Sequence, residues 1–446
     1  MSFYSIAQKI LPSVKDPSKV PVLKKKLIWT GIVLAVFFIL GTVKLIGISP
    51  TALINLEYYQ MIMASQLGTL ISLGIGPIVL SSIILQLLVG VKVINLNFSN
   101  PEDRAKFSIL QKLFAVVLSV VEAVVAVSVG MLVPLPGMGL MIVIQVALGS
   151  ILLLYLDEVV SKYGIGSGVG LFIAAGVSQS IIWRLFALPS ATLGTKGLLF
   201  VAFDSITTGA ISQLISSFII PLLVTFAVFL IVVYVEGMHV NIPLTVGRSG
   251  IGAKYPVKLL YVSNMPVILA ATLFANVALF VNLAKNTFLE NIMFKIAAIL
   301  TPQYGLLENT ILGGATWGMW GSALIYMVIF VVTCVLFGKF WVQVGGQDSA
   351  SVAKQLQSSG MSIPGFRRDQ RVLTTVLKRY IPTITILGSL FVGLLAFFSD
   401  LTGAIGSGIG ILLTVGIIYK FYEQIAKDPM FVSSGFLKNI VGKNKN

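Results

Sequence analysis

Charge is scarce in this 446-residue chain: Asp, Glu, Lys and Arg make up 11% of it, against roughly a quarter in soluble domains. Acidic residues are scarcer still, 16 against 31 Lys and Arg. The single cysteine, Cys334, lies in an apolar run, so no disulfide framework, haem attachment or cysteine-based metal site fits within the chain. The single histidine, His239, falls in a connecting segment without a catalytic partner. Paired carboxylates, an H-E-x-x-H helix, a Walker motif and a nucleophile with its base are all missing from the sequence. These absences argue against an enzyme and against any cofactor or metal. Nucleotide energy must come from another molecule.

Apolar residues are plentiful, at 57%. Runs of about 18 or more recur along the chain, the pattern of membrane-spanning helices. Ten are expected, roughly at 27–47, 70–91, 107–130, 138–158, 165–188, 211–236, 259–283, 317–341, 381–400 and 404–422. The first follows a polar, lysine-bearing stretch without a small-residue cleavage site, and it reads as a retained span rather than a signal peptide. The formal charge of +15 could suggest nucleic acid, but its distribution follows topology. Of the Lys and Arg between spans, only Lys44, Arg184, Lys196, Lys285 and Lys295 fall on one side. Lys112 lies within the third run, and all the others fall on the opposite side. The positive-inside rule puts that richer side, with both termini, in the cytoplasm.

The chain spells a Gly-rich hexamer twice: "IGSGVG" at 165–170 and "IGSGIG" at 405–410. They open the fifth and tenth runs. The second and seventh runs also correspond, "GPIVLSSIIL" (76–85) with "MPVILAATLF" (265–274), aligned on Pro77 and Pro266. Two matches in the same order imply a duplicated five-span unit. Five is odd, so the second copy lies inverted, and Gly/Pro breaks at matching places point to the repeat interface. The glycines also serve close helix packing, which accounts for part of the signal.

At about 1.5 Å per helical residue, Val79, Ile173, Ile268 and Leu413 fall roughly 12–16 Å into their spans, near the midplane. They pair within the repeat, Val79 with Ile268 and Ile173 with Leu413. A solute site would need polar groups at that depth; an apolar constriction gates by dewetting and steric fit. Periodicity alone favours ordinary packing for these residues. An ion-coupled transporter with five-plus-five inverted repeats stands beside the channel reading at this point. The dearth of embedded acids and the apolar midplane count against it.

Longer stretches carry a specific resemblance. "GTLISLGIGPIVLSSIILQLLVG" (68–90), "LDEVVSKYGIGSGVGLFIAAGVSQSI" (156–181), "KYPVKLLYVSNMPVILAATLFAN" (254–276), "RYIPTITILGSLFVGLLA" (379–396) and "YEQIAKD" (422–428) closely resemble the SecY family, in its archaeal branch. The likeness covers almost the whole chain. It implies an all-α polytopic membrane protein: ten helices in two inverted halves around an hourglass pore, opening laterally between spans two/three and seven/eight. It implies the pore of a protein-conducting channel, which passes unfolded secretory chains and releases transmembrane segments into lipid.

Site residues follow from the same resemblance. The pore ring maps to Ile75, Val79, Val169, Ile173, Ile268 and Leu413. The stretch 51–66, with Thr51, Leu53, Ile54, Leu56, Tyr58 and Ile62, is too short to cross the membrane and return. By its residues it is a re-entrant or interfacial helix; by resemblance it is the plug. The polar lateral-gate cluster maps to Leu80, Glu122 and Asn276. Leu80 departs from the family, where threonine is common. Glu122 is the acid deepest in a span and needs an interior partner, and its depth allows a hydrogen bond to Asn276. Loops 6/7 and 8/9 carry Arg248, Lys254, Lys258, Arg367, Arg368 and Arg371, with Arg367 in the family-like "IPGFRRD". Their charge alone suits positive-inside topology and anionic lipid; the family adds ribosomal phosphate.

The resulting layout is a cytoplasmic segment 1–26, a first half 27–188, an external hinge loop 189–210, a second half 211–422 with cytoplasmic loops at about 237–258 and 342–380, and a cytoplasmic tail 423–446. Expected partners are SecE (the gamma subunit), a small single-span beta subunit, the ribosome, signal sequences and nascent chains, lipid, and SecDF. The expected location is the cytoplasmic membrane of an archaeon.

Overall fold

The computed structural model describes residues 13–18, 21–49, 64–90, 93–94, 96, 100–189, 196–246, 251–262, 264–281, 290–358, 361–362 and 370–426. The described chain is mostly helical. Its first part contains α1 (Leu23–Thr42), α2 (Gly76–Gly90), α3 (Pro101–Ser128), α4 (Gly139–Tyr163), α5 (Gly168–Phe186) and the short α6 (Leu198–Thr207). Then come α7 (Ile211–Leu214), a π-helical turn Ile215–Ile219, α8 (Ile220–Glu236), β1 (His239–Val246), β2 (Ile251–Lys258) and α9 (Met265–Val281). The last part holds α10 (Glu290–Leu300), α11 (Leu306–Ile311), α12 (Trp317–Val344), α13 (Ser349–Ser358), β3 (Met361–Ser362), α14 (Gln370–Leu401) and α15 (Gly408–Ala426). Among the described residues, seven helices are long and apolar enough to cross a membrane. The helices α1, α2 and α9 lie in three further apolar runs.

Element ends differ from the apolar runs for local reasons. The third run begins near 107, yet α3 begins at Pro101. There the Asn100 side chain accepts the Glu102 N–H at 3.3 Å, proline occupies the first turn, and Glu102 and Asp103 favour the helix N-terminus. Conversely, α2 and α9 begin six residues later than the runs at 70 and 259. Each is headed by a residue and a proline, Gly76-Pro77 and Met265-Pro266. Proline fits the first turn because its missing N–H has no helical partner there. Before α2 the chain turns through Gly68 (φ 82°) and Gly74 (φ 56°), backbone conformations that favour glycine. Val79 and Ile268 are therefore each the fourth residue of a short helix. Depth counted as continuous helix from 259 overstates how far along its helix Ile268 lies.

Helix α1 packs on α4, α4 on α3 and α3 on α2; in the second part α9 packs on α12, α12 on α14, α14 on α15 and α15 on α8. The two groups meet where α2 lies against α9 and α12, and where α5 lies against α15. One continuous hydrophobic core runs through both. In lipid, close van der Waals fit holds helices together, so small residues mark the tightest contacts. A Cβ added to Gly149 of α4 would lie 1.8 Å from the Leu70 carbonyl oxygen, in the non-helical stretch before α2. Gly149→Val should therefore destabilise the first half by about 1–3 kcal/mol through overpacking. A lower thermal unfolding midpoint in detergent is the expected result.

The basic connectors are structured together. β1 and β2 pair antiparallel from His239↔Lys258 to Val246↔Ile251. β3 pairs with the far end of β1, at Thr245↔Ser362 and Val246↔Met361. Ile242, Val257, Leu356, Leu373, Leu377 and Ile381 form a second, separate core beneath this sheet. Loops 6/7 and 8/9 thus share one small platform, and α14 extends eleven residues ahead of its apolar run to support it.

Candidate functional site

Five of the six ring residues are buried: Ile75 and Ile173 fully, with Val79, Ile268 and Leu413 at 5%, 4% and 1% exposure. Val169 is half-buried and packs against the same core. They come from the turn before α2 (Ile75), from α2 (Val79), from α5 (Val169 and Ile173), from α9 (Ile268) and from α15 (Leu413). Side chains lining an open water path would be exposed; these are not.

Beside them runs a seam where α2 faces α9 and α12, and where α3 touches α9. Leu80, Glu122 and Asn276 are all buried there. The expected hydrogen bond between Glu122 and Asn276 is not formed. Among the described residues, neither carboxylate oxygen of Glu122 has a hydrogen-bond partner, and the Asn276 Oδ1 has none. Instead Asn276 Nδ2 donates to the Thr272 carbonyl of its own helix at 2.9 Å. Equal depth brings two side chains to one level, but rotation about the helix axis decides where each amide points.

The hexamers do more than pack. At the first, Gly166 takes φ 73°, Ser167 caps α5 by accepting the Gly170 N–H at 3.3 Å, and Asp157 of α4 accepts the Val169 N–H at 2.8 Å. The Ile165 N–H donates to Thr30 Oγ1 of α1 at 3.1 Å. At the second, Gly406 takes φ 83°, Ser407 accepts the Gly410 N–H at 2.9 Å, and Asp400 of α14 accepts the Gly408 N–H at 2.6 Å. The Ile405 N–H donates to Thr225 Oγ1 of α8 at 2.9 Å. Each hexamer therefore ties together three helices of its own group through N–H groups at and just before the helix start, which have no helical acceptor.

Contacts between the hexamer helices are reciprocal. A Cβ on Gly166 would lie 2.3 Å from Phe421 Cε1, and one on Gly406 2.3 Å from Ile181 Cγ1. One on Gly170 would face Ile417 at 3.6 Å, and one on Gly410 would face Val177 at 3.1 Å. The shift that carries 166 onto 406 also carries 181 onto 421, 170 onto 410 and 177 onto 417. Such self-complementary pairing is what a two-fold relation between α5 and α15 produces.

Two features were not legible in the sequence. Asn264, just before α9, donates from Nδ2 to the Leu412 carbonyl at 3.0 Å, next to Leu413. Gly416 makes room for it, since a Cβ there would lie 2.0 Å from that nitrogen. Lys258 at the foot of β2 pairs with Glu423 of α15 at 2.5 Å and lies 5.3 Å above the Tyr419 ring. Among the platform cations, Lys254 lies on β2 opposite Pro243, and Arg371 is exposed at the start of α14. Arg248, Arg367 and Arg368, and the plug residues Thr51, Leu53, Ile54, Leu56, Tyr58 and Ile62, lie outside the described residues.

The chain is similar to known proteins over nearly its whole length. The SecY family model matches residues 69–422. Protein translocase subunit SecY of Methanococcus vannielii is 43% identical over 450 residues, covering 98% of each chain. A solved structure described as "The structure of a protein conducting channel" superposes with a TM-score of 0.81 at 43% identity, covering 96% of this chain and 97% of that one. Another, "Sec61 in the Canine ribosome-channel complex from the endoplasmic reticulum", gives 0.78 at 42% identity, covering 96% and 97%.

Proposed function

The chain belongs to the SecY family, and from that premise we propose how its parts act as the pore-forming subunit of a protein-conducting channel. It is a multi-pass membrane protein and a translocase subunit, not an enzyme. Ten spans form two inverted five-helix halves, at 27–188 and 211–422, joined by the hinge 189–210, with both termini in the cytoplasm. Unfolded polypeptide passes between the halves, and transmembrane segments leave sideways along the seam of α2, α3, α9 and α12.

The observation that supports this reading is the burial of Ile75, Val79, Ile173, Ile268 and Leu413, aliphatic side chains drawn from both parts of the chain. Such side chains can seal around a moving chain of any sequence, because they hold none of its polar groups and leave water little reason to enter. Segment 51–66 acts as the plug on the outer side of the ring. The ribosome docks on the platform of loops 6/7 and 8/9, as the canine ribosome-channel complex suggests by likeness. SecE and a small beta subunit complete the complex in the membrane, with SecDF as an accessory. Signal sequences and nascent chains are its substrates.

The test is translocation into vesicles that hold the purified chain with its co-purifying small subunits. A secretory precursor should become protected from added protease. Vesicles in which precursor stays fully digestible, despite a folded channel, would refute the proposal.

The seam makes a further expectation. With no hydrogen bond between Glu122 and Asn276, opening breaks none between them. Interhelical hydrogen bonds in membranes average only about 0.6 kcal/mol in any case, or roughly threefold. Glu122→Gln should hence change gate opening by less than about threefold. Asn276→Leu should relax the demand for a hydrophobic signal, because it adds apolar surface beside the exit. Translocation of a graded series of signal variants reads both effects; an unmoved hydrophobicity threshold in Asn276→Leu makes Asn276 a packing residue only.

A further inference from the structure

We propose that Asp157 and Asp400 are a matched pair of positioning residues, which fix α5 and α15 lengthwise and so set the level of Ile173 and Leu413 in the constriction. This deepens the ring reading above and rests on it.

The two aspartates stand in the last two turns of different helices, Asp157 of α4 and Asp400 of α14, and do the same work. Asp157 Oδ1 accepts the N–H of Val169, itself a ring residue, at 2.8 Å. Asp400 Oδ1 accepts the N–H of Gly408, the first residue of α15, at 2.6 Å. Ile173 lies one helical turn beyond Val169, and Leu413 lies five residues beyond Gly408. A serine cap alone would satisfy one N–H from within its own helix and would leave that helix free to slide. A carboxylate on the neighbouring helix ties the helix start to a second element.

Steric contact makes the tie stiff. A Cβ on Gly168 would lie 2.4 Å from the Asp157 Cα, and one on Gly408 would lie 2.2 Å from the Ser399 Cβ. Each helix thus begins pressed against the helix that supplies its aspartate. The threonines Thr30 and Thr225 hold the preceding N–H groups of Ile165 and Ile405 in the same way. Each threonine hydroxyl in turn donates to the carbonyl four residues back, at Lys26 and Pro221. A slip of one residue along a helix moves every side chain by about 1.5 Å. That distance is enough to break the level at which aliphatic groups from α2, α5, α9 and α15 meet. Val79 and Ile268 need no such tie, because they are placed by the proline-headed starts of α2 and α9.

The experiment uses the complete channel complex with Cys334→Ala as the parent. One cysteine is placed at Ile173 or at Leu413, and a translocating chain is stalled by a folded domain at its C-terminus. The stalled chain carries one cysteine at successive positions, and disulfide formation maps which position faces each ring residue. In the parent a sharp maximum is expected at both ring positions. Asp157→Ala should shift or spread the Ile173 maximum by at least one residue of the chain, and should raise resting ion leak at least threefold. Asp400→Ala should do the same at Leu413. Asp157→Asn, which keeps an acceptor oxygen, should restore the parent pattern. Asp157→Glu, with a longer arm, should displace the maximum without loss of the fold and serves where the alanine variant is not recovered. A purely structural role would lower yield and thermal midpoint but leave the crosslink map unchanged. An unchanged map in folded Asp157→Ala or Asp157→Glu channels overturns the proposal. Absence of any crosslink to Ile173 and Leu413 in the parent would instead overturn the ring assignment on which it rests.

Discussion

Glycine at Ile75, Val79, Ile173 and Ile268 together is expected to raise the ion conductance of the resting channel in planar bilayers by about tenfold or more. A tenfold rise needs only about 1.4 kcal/mol off the permeation barrier. Each of these side chains is buried, and burying one aliphatic side chain of this size is worth about 1.5–3 kcal/mol of apolar contact. Their loss widens the constriction and exposes backbone to which water can hydrogen-bond, so the dry barrier becomes wet. The rise should be larger when segment 51–66 is also removed, if that segment stops the outer side. Unchanged conductance, in a variant whose detergent elution and thermal midpoint match the parent, would mean that these residues line no pore.

The second large effect is expected at the platform. Arg248→Glu with Arg367→Glu should weaken ribosome binding about tenfold at low salt, with the difference narrowing as salt rises. For every phosphate no longer neutralised, the slope of log affinity against log salt should fall by roughly 0.7–0.9. Exposed charges are screened within about 10 Å at 0.1 M salt, so the low-salt arm is the sensitive one. Lys258 should behave differently. Its ammonium is already paired with Glu423, so Lys258→Gln should loosen the foot of the β1–β2 hairpin more than it removes a phosphate contact. Co-sedimentation with ribosomes across a salt series separates the two cases. Equal affinity of the double variant and the parent at every salt would leave the arginines as topology determinants.

Much of the helical plan can be read from hydropathy because lipid imposes it. A backbone exposed to hydrocarbon must satisfy its own polar groups, so a long apolar run is helical wherever lipid surrounds it. The turns at 70–75 and 259–262 were hidden because their composition is as apolar as the helices they precede; Pro77 and Pro266 marked where helix could begin. The platform was hidden for the opposite reason. "HVNIPLTV" and "IGAKYPVK" are short and interrupted by proline, and pairing between them depends on distant support from Leu373 and Leu377. The hexamers were visible as a repeat, but their partners were not. Thr30 and Ile165, or Thr225 and Ile405, are far apart in sequence, and no periodicity links a hydroxyl to the N–H it accepts. Glu122 shows the limit of depth arithmetic. Rise along a helix gives height, whereas a hydrogen bond also needs azimuth, and the Asn276 amide had a nearer acceptor in Thr272. Helix α15 shows the same limit at an end, since it continues past Tyr422 to Ala426.

The most direct measurement of a polypeptide path through the ring is crosslinking of a stalled translocating chain to single cysteines in a channel whose Cys334 is alanine. Cysteines at Val79, Ile173, Ile268 and Leu413 sample both groups of helices at the constriction. Cysteines at Leu148 and Phe226, which are 54% and 60% exposed on the outer surface, are the controls. The expected result is crosslinks from one short stretch of the stalled chain to all four ring positions and to neither control. Crosslinks to Leu148 or Phe226 with none at the ring would contradict a path between the two halves.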